Sequence, residues 1–499
     1  MSTRTRELFD SGVLSIPPPA ELMAESAWLA EVPGLPEAAG VWAQEIPEAA
    51  ATLGARARRL ARGEVDKAML SAMGRTAGTF ALLTLLDLLG AYTTPARDRN
   101  ELSDDRSLRR LENLVRAGGP AWVKLGQFIA TSGGLLPDTW VEAFAWCRDE
   151  VDPLPYGQPR QIVRRAFQCR VRDIFAEFDD APLGAASIAQ VHRAVLHDGR
   201  EVVVKIRRPG LRRKFRSDIR AMAGAARAAE LMSPVARTGN VSGFVELFAR
   251  LVLEELDFRI EAYNMIELGA AAEHAGADYV RFPRPIPQLV TERVLVMERL
   301  PGVAYTSAAL GDVEGETLLR LAIEGILEHT LIYGVFHGDL HAGNVLLDGD
   351  GTFSLVDFGI VGRLDEHQRT ALGAFLIAFA RMDVRLQLEA MVRFGAIPPG
   401  IDLDSLVDEI ESEVNPHELA EDAQVAELAA AIGRLVRVLS RHGIRMPKEL
   451  VLFFKNLLYL NGFASAVAPD AALLAQVGPV FGYFQSKYGD AMDVSVLLS

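Results

Sequence analysis

The chain has 499 residues, 49% of them hydrophobic and 24% charged, with 66 acidic against 52 basic side chains and two cysteines. That balance excludes a disordered chain, a collagen-like fibre and a disulfide scaffold, and leaves room for roughly two to four compact units or one large bilobal enzyme with an extension. A net charge of -14 argues against nonspecific nucleic-acid binding, because neutralising phosphates needs a basic surface. Cys147 and Cys169 lack metal-ligand spacing and read as inert core residues in a reducing compartment.

The N-terminal MSTRTRELFDSGVLSIPPP has no continuous apolar run behind its basic residues, so it does not read as a secretory signal and the expected location is the cytoplasm. Residues 1–100, rich in Ala, Glu and Pro, read as a mostly helical extension without recognisable chemistry. Their most apolar stretch, Thr76 to Tyr92, is short for a membrane span and carries Asp87, which predicts a buried or membrane-surface helix. In the next segment, 101–175, LRRLENLVRAGGPAWVKLGQFIA reads as two helices broken at Gly118-Gly119-Pro120, which places Lys124, Gly126 and Gln127 on the second.

Over 176–300 the apolar period becomes that of strands. SIAQVHRAVL and REVVVKI, separated by His197-Asp198-Gly199, predict a hairpin whose second strand ends near Lys205. A long helical region from about Lys214 to Ala275 follows, then a short buried strand, Arg293 to Met297, and the connection Glu298-Arg299-Leu300-Pro301-Gly302. Two strands, helix, strand and a Pro-Gly connection is the order of a small nucleotide-binding lobe. The remainder, 301–499, predicts a mainly helical lobe interrupted by VLLD and SLVDFG, which flank Gly349-Asp350-Gly351. Arg207, Arg208, Arg212, Arg213, Lys214, Arg216 and Arg220 read as a solvated helix face, with an anionic lipid or phosphate-bearing partner as the alternative. LVLFFKNLLYLNGFASAVAP reads as core of the large lobe despite Lys455 and Asn456; a membrane-facing surface is the alternative.

The chemistry lies in HGDLHAGN, residues 337–344, followed by Asp357-Phe358-Gly359. An Asp, an Asn five residues later, a hairpin and then Asp-Phe-Gly is the arrangement phosphoryl transfer needs. Asp339 can orient or deprotonate an attacking hydroxyl or water, while Asn344 and Asp357 supply hard oxygen ligands for Mg²⁺ bridging nucleotide phosphates. Lys205, near the end of an apolar strand, suits the α and β phosphates of ATP. Such a lysine needs a carboxylate from the following helix. Glu254, Glu255, Asp257 and Glu261 are the candidates, with Glu254, Asp257 and Glu261 on one helical face. After DFG the chain passes almost directly into DEHQRTALGAFLIAFARMD, without a long activation loop or an A-P-E signature. A peptide-docking platform is therefore not expected.

These residues resemble the UbiB/AarF family of atypical protein-kinase-like, ATP-binding proteins. The resemblance rests on Lys124-Leu125-Gly126-Gln127 (KxGQ), the alanine-rich Ala185-Ala186-Ser187, Lys205, Glu255-Leu256-Asp257 (ExD), Glu261, HGDLHAGN and DFG, and runs from about Gly119 to Gly362 with weaker similarity to about residue 465. It implies an α+β, bilobal protein-kinase-like fold with extra family helices, Glu261 paired with Lys205, and Glu255 and Asp257 facing a KxGQ helix that crosses over the active site. Ala185, Ala186, Ser187, Lys205, Glu298 and Leu300 are then the nucleotide-binding candidates. Asp339, Lys205 and Glu261 are the catalytic candidates. Lys124, Gln127, Glu255 and Asp257 are the gating set, and Asn344 and Asp357 the metal set.

With a single glycine and added β-carbons, the turn at Gly184-Ala185-Ala186-Ser187 should be stiffer than a Gly-rich phosphate loop. The expected activity is ATP- and Mg-dependent phosphoryl transfer or hydrolysis that acts on, or supports the metabolism of, a small molecule or isoprenoid lipid. The alternative is a nucleotide-binding scaffold that assembles biosynthetic enzymes. Peripheral membrane contact is what the resemblance implies, and a small-molecule kinase of the aminoglycoside-phosphotransferase type leaves KxGQ and ExD without a purpose.

Overall fold

The computed structural model describes residues 17–62, 120–130, 138–148, 152–232, 241–308, 313–381, 383–398, 400–413, 446–469 and 477–489, with single residues between 108 and 116, between 435 and 444, and at 471. The helix expected over Thr76 to Tyr92 lies outside these residues, as does the first of the two helices expected before Pro120 for much of its length. The described strands are β1 (Phe175–Ala185), β2 (Ala189–Leu196), β3 (Glu201–Arg207), β4 (Val280–Arg281), β5 (Pro285–Val290), β6 (Val294–Glu298), β7 (Val303–Ala304), β8 (Val335–His337), β9 (Val345–Leu347), β10 (Phe353–Leu355) and β11 (Val361–Arg363). The chain divides into two compact units, one formed by residues 44–260 and 285–299, the other by residues 1–43, 261–284 and 300–499.

The first unit is built on an antiparallel sheet in the order β1-β2-β3-β6-β5. In β3 the β-branched residues Val202, Val204 and Ile206 are fully buried, as the period of two demands of a central strand with one face on the core. The β2–β3 hairpin closes at Gly199, whose φ of +88° is the left-handed conformation that glycine adopts without penalty. The hairpin expectation matches these strands. β1 had no sequence signal: its register is broken three times, between Phe175 and Gly184, so its apolar residues do not alternate. A second core joins Trp122, Leu125, Ile129, Phe144, Phe215, Ile219, Phe248 and Val252, and takes in Ala57 and Leu60 from the N-terminal extension.

Within the long helical region expected from Lys214 to Ala275, the described residues form the helices Leu211–Met232, Val241–Glu255 and Phe258–Ala275. The last break falls at Asp257, whose side chain accepts the backbone N–H of Arg259, the geometry of a residue that starts a new helix. Glu254, Asp257 and Glu261 therefore do not share one continuous helical face, and the i, i+3, i+7 expectation is corrected.

The second unit carries the sheet β4-β10-β9-β7 and the pair β8-β11. The other described elements of this unit are helices. The Lys448–Val467 helix buries Leu450, Leu452, Phe453, Phe454, Leu460 and Phe463, and the last two pack with Tyr305, Leu318, Leu319 and Phe353. It is the one helix among the described residues long and apolar enough to cross a membrane, and most of that apolar window is buried inside this unit. Only a glycine fits at Gly315, where the Gly315–Leu327 helix meets it, since a β-carbon there would collide with the Val467 carbonyl. The Val477–Tyr488 helix is anchored by Glu328, a fully buried carboxylate that accepts Lys487 Nζ at 2.6 Å and the Tyr483 hydroxyl at 2.9 Å. Part of the N-terminal extension also packs here: the Trp28 ring occupies the space beside Gly269, and Ser26 donates to Glu273.

Candidate functional site

In the first unit Lys205 lies in the middle of the sheet, opposite Val191 of β2 and Leu295 of β6, and is only 7% exposed. Its ammonium sits 5.5 Å from the centre of the Phe258 ring. Enclosing a lysine in a sheet costs several kcal/mol unless an anion neutralises it, so this position favours anions such as carboxylate or phosphate.

The alanine-rich turn joins β1 to β2 and is held from two sides. Ala186 N–H donates to the Ala189 carbonyl at 2.8 Å, while the Arg208 guanidinium donates to the Ala186 carbonyl at 2.8 Å. From the other direction Ser187 Oγ donates to Gln127 Oε1 at 3.0 Å, and Gln127 Nε2 donates to the Cys147 carbonyl at 3.0 Å. Ala185 closes β1 opposite Gln190. The KxGQ motif occupies the Pro120–Ala130 helix, and its Lys124 pairs with Glu255 at 2.9 Å. Gly126 is dictated by packing: a β-carbon would stand 2.4 Å from Cys147 Sγ. Thus KxGQ, the first residue of ExD and the alanine-rich turn form one connected cluster. Asp257 turns elsewhere, to Arg259 at 2.7 Å and Arg212 at 4.0 Å.

Part of the basic run is absorbed by such contacts. Arg207 is 6% exposed with a guanidinium donating to the Leu256 carbonyl, and burial pushes its pKa down to about 10. Arg212 pairs with Glu292 as well as Asp257. Glu298 ends β6 opposite Val202, and Leu300 opens the following connection, both half-buried.

In the second unit the imidazole of His337 joins the HGD and DFG segments. Its Nε2 faces the Asp357 carbonyl at 2.9 Å and its Nδ1 accepts the Asp339 N–H at 3.1 Å, so the partners assign the neutral tautomer protonated on Nε2. Burial holds the ring well below the usual histidine pKa, which suits a brace and not a proton carrier. Asn344 donates from Nδ2 to the Asp339 carbonyl at 2.9 Å, and its own carbonyl accepts Val356 N–H at 3.0 Å. These bonds bring Asp339, Asn344 and Asp357 onto adjoining backbone. Asp357 adopts a left-handed φ of +61°, an uncommon conformation for a residue with a side chain, and Gly359 N–H donates to its Oδ1 at 3.3 Å.

Phe358 is fully buried against His337 and Phe282, and its carbonyl accepts Asn264 Nδ2 at 2.8 Å. Asn264 in turn accepts Arg363, which also pairs with the buried Glu267. Glu261 lies in the first turn of the Phe258–Ala275 helix and is 3% exposed. After Gly359 the chain makes only β11, paired with β8, before Asp365 caps the Glu366–Ala380 helix in a capping box with Gln368.

Asp339 has partners that the sequence reading missed. Lys455 Nζ donates to its Oδ1 at 2.8 Å and Tyr459 OH donates to the same oxygen at 2.9 Å, while Asn456 Nδ2 donates to the His337 carbonyl. The signal was present: a lysine and an asparagine interrupting an apolar helix, with a tyrosine one turn beyond the lysine.

The donor set suits Mg²⁺, which binds hard oxygens and commonly takes one or two protein ligands plus substrate phosphates. Asn344 fits this test, since fixing its Nδ2 on the Asp339 carbonyl turns the amide oxygen away from that bond. Among the described residues no cluster of three or more His, Cys, Asp or Glu forms a metal cage.

Residues 147–391 match the ABC1 atypical kinase-like domain, and residues 421–472 match the UbiB helical domain. An uncharacterised protein of Mycobacterium tuberculosis is 33% identical over 373 residues, covering 73% of this chain and 75% of that protein. The probable protein kinase UbiB of Xylella fastidiosa is 31% identical over 389 residues, covering 76% of this chain and 70% of its own. Among solved structures, the complex of Rv3197 with erythromycin, also from Mycobacterium tuberculosis, is 23% identical and covers 75% of this chain and 99% of that one, with a TM-score of 0.43. The two domain matches and the curated relatives together show that this chain belongs to the UbiB/AarF family of atypical kinase-like proteins, with the α+β protein-kinase-like fold.

Proposed function

We propose that this protein is an ATP- and Mg-dependent phosphotransferase or ATPase that acts on, or supports the metabolism of, a small molecule or isoprenoid lipid and does not phosphorylate proteins. The observation that carries this reading is the His337 bridge, which holds Asp339, Asn344 and Asp357 on adjoining backbone. In this reading Lys205 binds the α and β phosphates. Ala185, Ala186 and Ser187 line the triphosphate, and the Glu298 to Leu300 connection receives the base. Asn344 and Asp357 would hold Mg²⁺, which supplies neutralisation of phosphate charge. Asp339 orients the attacking oxygen and accepts its proton. The short passage from DFG into the next helix supports a non-peptide acceptor, because a protein kinase docks its peptide on the longer segment missing here.

The test is ATP turnover by the purified chain beside Asp339→Asn and Lys205→Ala. Turnover in the wild type that falls at least tenfold in both variants is expected; turnover indifferent to both overturns the reading.

A second reading is favoured by the bond from Ser187 to Gln127, which ties the alanine-rich turn to the KxGQ helix and limits its movement over a nucleotide. Here the chain is a nucleotide-dependent scaffold for biosynthetic enzymes. Tight Mg-dependent ATP binding without hydrolysis, with enzymes copurifying only when nucleotide is present, would select it. Vesicle flotation separates peripheral membrane contact from both.

A further inference from the structure

The Lys448–Val467 helix presents three polar side chains to one loop. Lys455 is 3% exposed, and lysine is almost never buried so deeply unless paired, because desolvating the ammonium costs far more than an apolar helix returns. It pairs with a carboxylate oxygen, Oδ1 of Asp339, 2.8 Å away. One helical turn on, at i+4 and so on the same face, the Tyr459 hydroxyl reaches that oxygen at 2.9 Å, and the lysine ammonium stands 5.3 Å from the Tyr459 ring centre, within range of its π face. Asn456, fully buried, donates to the His337 carbonyl in the same motif. Two donors converging on Oδ1 fix the carboxylate's rotation. The other oxygen, Oδ2, lies toward the half-exposed His341, 3.8 Å from its Nε2.

We propose that Lys455 and Tyr459 are positioning residues for Asp339, clamping Oδ1 so that Oδ2 is the oxygen presented to the phosphoryl acceptor. This rests on the role given to Asp339 above. The clamp also links the two matched domains, since Lys455, Asn456 and Tyr459 all fall within the UbiB helical match, residues 421–472, whereas Asp339 falls within the kinase-like match, residues 147–391. One matched domain thus orients the reactive carboxylate of the other. The ammonium adds a full opposite charge to the carboxylate, which the neutral Tyr459 hydroxyl does not, so Lys455 carries the larger share.

The experiment compares kcat and the KM for ATP in wild type, Lys455→Met, Lys455→Arg, Tyr459→Phe, Asp339→Asn and the double variant Lys455→Met with Asp339→Asn. Lys455→Met should lower kcat on the order of 10- to 100-fold, with KM for ATP changed less than about threefold, since it removes an interaction that acts on the reacting carboxylate and not on nucleotide. Lys455→Arg should recover most of the loss. Tyr459→Phe, which removes only the hydroxyl and keeps the ring in the core, should cost on the order of 5-fold and tests the clamp even if Lys455→Met does not fold. In the Asp339→Asn background the lysine change should have little further effect, because residues acting as one unit are not additive.

Wild-type kcat in both Lys455→Met and Tyr459→Phe overturns the proposal, as does an equal loss from Lys455→Met whether or not Asp339 is present. Turnover that ignores Asp339→Asn overturns the underlying reading, and the proposal with it.

Discussion

Ser187 Oγ donates to Gln127 Oε1 at 3.0 Å, so the alanine-rich turn between β1 and β2 is fastened to the helix bearing KxGQ. Ser187 is 9% exposed, and Gln127 is itself held by the Cys147 carbonyl, so the bond works between two already ordered partners. Ser187→Ala should therefore loosen the turn without unfolding the unit. A half-buried neutral hydrogen bond contributes about 1 kcal/mol, which corresponds to roughly 5-fold faster amide exchange at Ala186 to Ile188. Hydrogen-exchange mass spectrometry on peptides covering 183–190 checks this. Gln127→Ala should give the same protection loss, and unchanged exchange in both would show that the turn is stiff for another reason, namely the Arg208 contact to Ala186.

Gly126 marks where the KxGQ helix touches the short 3₁₀ turn at Ala145–Arg148. An added β-carbon would meet Cys147 Sγ at 2.4 Å, Val115 at 3.1 Å and Phe144 at 3.2 Å, and the last two are buried core residues with little freedom to move. Gly126→Ala is expected to destabilise by about 1–3 kcal/mol through overpacking. Adding Cys147→Ala removes the closest atom and should restore part of that loss, read as the urea midpoint of each variant. A midpoint for Gly126→Ala equal to the wild type would mean that the helix can shift away at no cost.

How much of this was legible in the sequence depends on which residues signal by themselves. Lys205, Asp339, Asn344 and Asp357 stand in motifs that could be recognised from residue type and spacing, and β2, β3 and β6 declared themselves as short β-rich apolar runs. The family resemblance placed Glu255 facing the KxGQ helix, and there it pairs with Lys124. What failed did so for identifiable reasons. Asp257 looked like one more acid on a helical face, but Asp is a good helix starter, and here it begins a helix and takes Arg259. The register breaks of β1 hid a strand. Lys455 and Tyr459 were the largest omission: their partner lies 116 residues before the lysine, and an apolar period records burial of a helix without recording what its few polar residues meet. The same holds for the N-terminal extension, whose Ala57, Leu60 and Trp28 are core or contact residues without any local motif.

His192 predicts a pH dependence. Its Nδ1 faces the Asp179 carbonyl at 2.8 Å and so carries the proton, while Nε2 faces Gln190 Nε2 at 2.6 Å. The Gln190 amide cannot turn over freely, because its Oε1 accepts Leu154 N–H at 2.8 Å. A second ring proton would meet the amide donor, and desolvation by burial already lowers the His192 pKa below its ordinary value. The folded state thus stays neutral where the unfolded chain takes up a proton, near pH 6.5. Because the unfolded state then binds more protons, stability is full above that pH and declines below it. Thermal unfolding of wild type against His192→Asn, which keeps an N–H donor but cannot titrate, isolates the effect from other groups. The variant should show the shallower decline between pH 7 and pH 5, and parallel curves would exclude His192 as the source.

Arg363 offers the last test, because it connects the segment after DFG to DFG itself. It pairs with Glu267 and donates to Asn264 Oδ1 at 2.7 Å, and the Asn264 amide holds the Phe358 carbonyl. Glu267 is only 3% exposed in its side chain, whereas Arg363 is 43% exposed. The arginine is therefore cheap to keep solvated, and the carboxylate is the group that suffers when the pair is broken. Breaking a fully buried pair costs about 3–5 kcal/mol; with one partner open to water, Arg363→Met should cost about 2–3 kcal/mol. Adding Glu267→Gln removes the stranded charge and should return at least half of the loss, which distinguishes an unpaired carboxylate from lost packing over Tyr263, where the guanidinium lies 5.6 Å from the ring centre. Because Asn264 would lose its orienting partner, the Phe358 carbonyl should also be held less firmly. ATP turnover in Arg363→Met is expected to fall further than in Glu267→Gln at a temperature where both are folded. Equal turnover in the two would mean that the bond from Asn264 to Phe358 stands without Arg363.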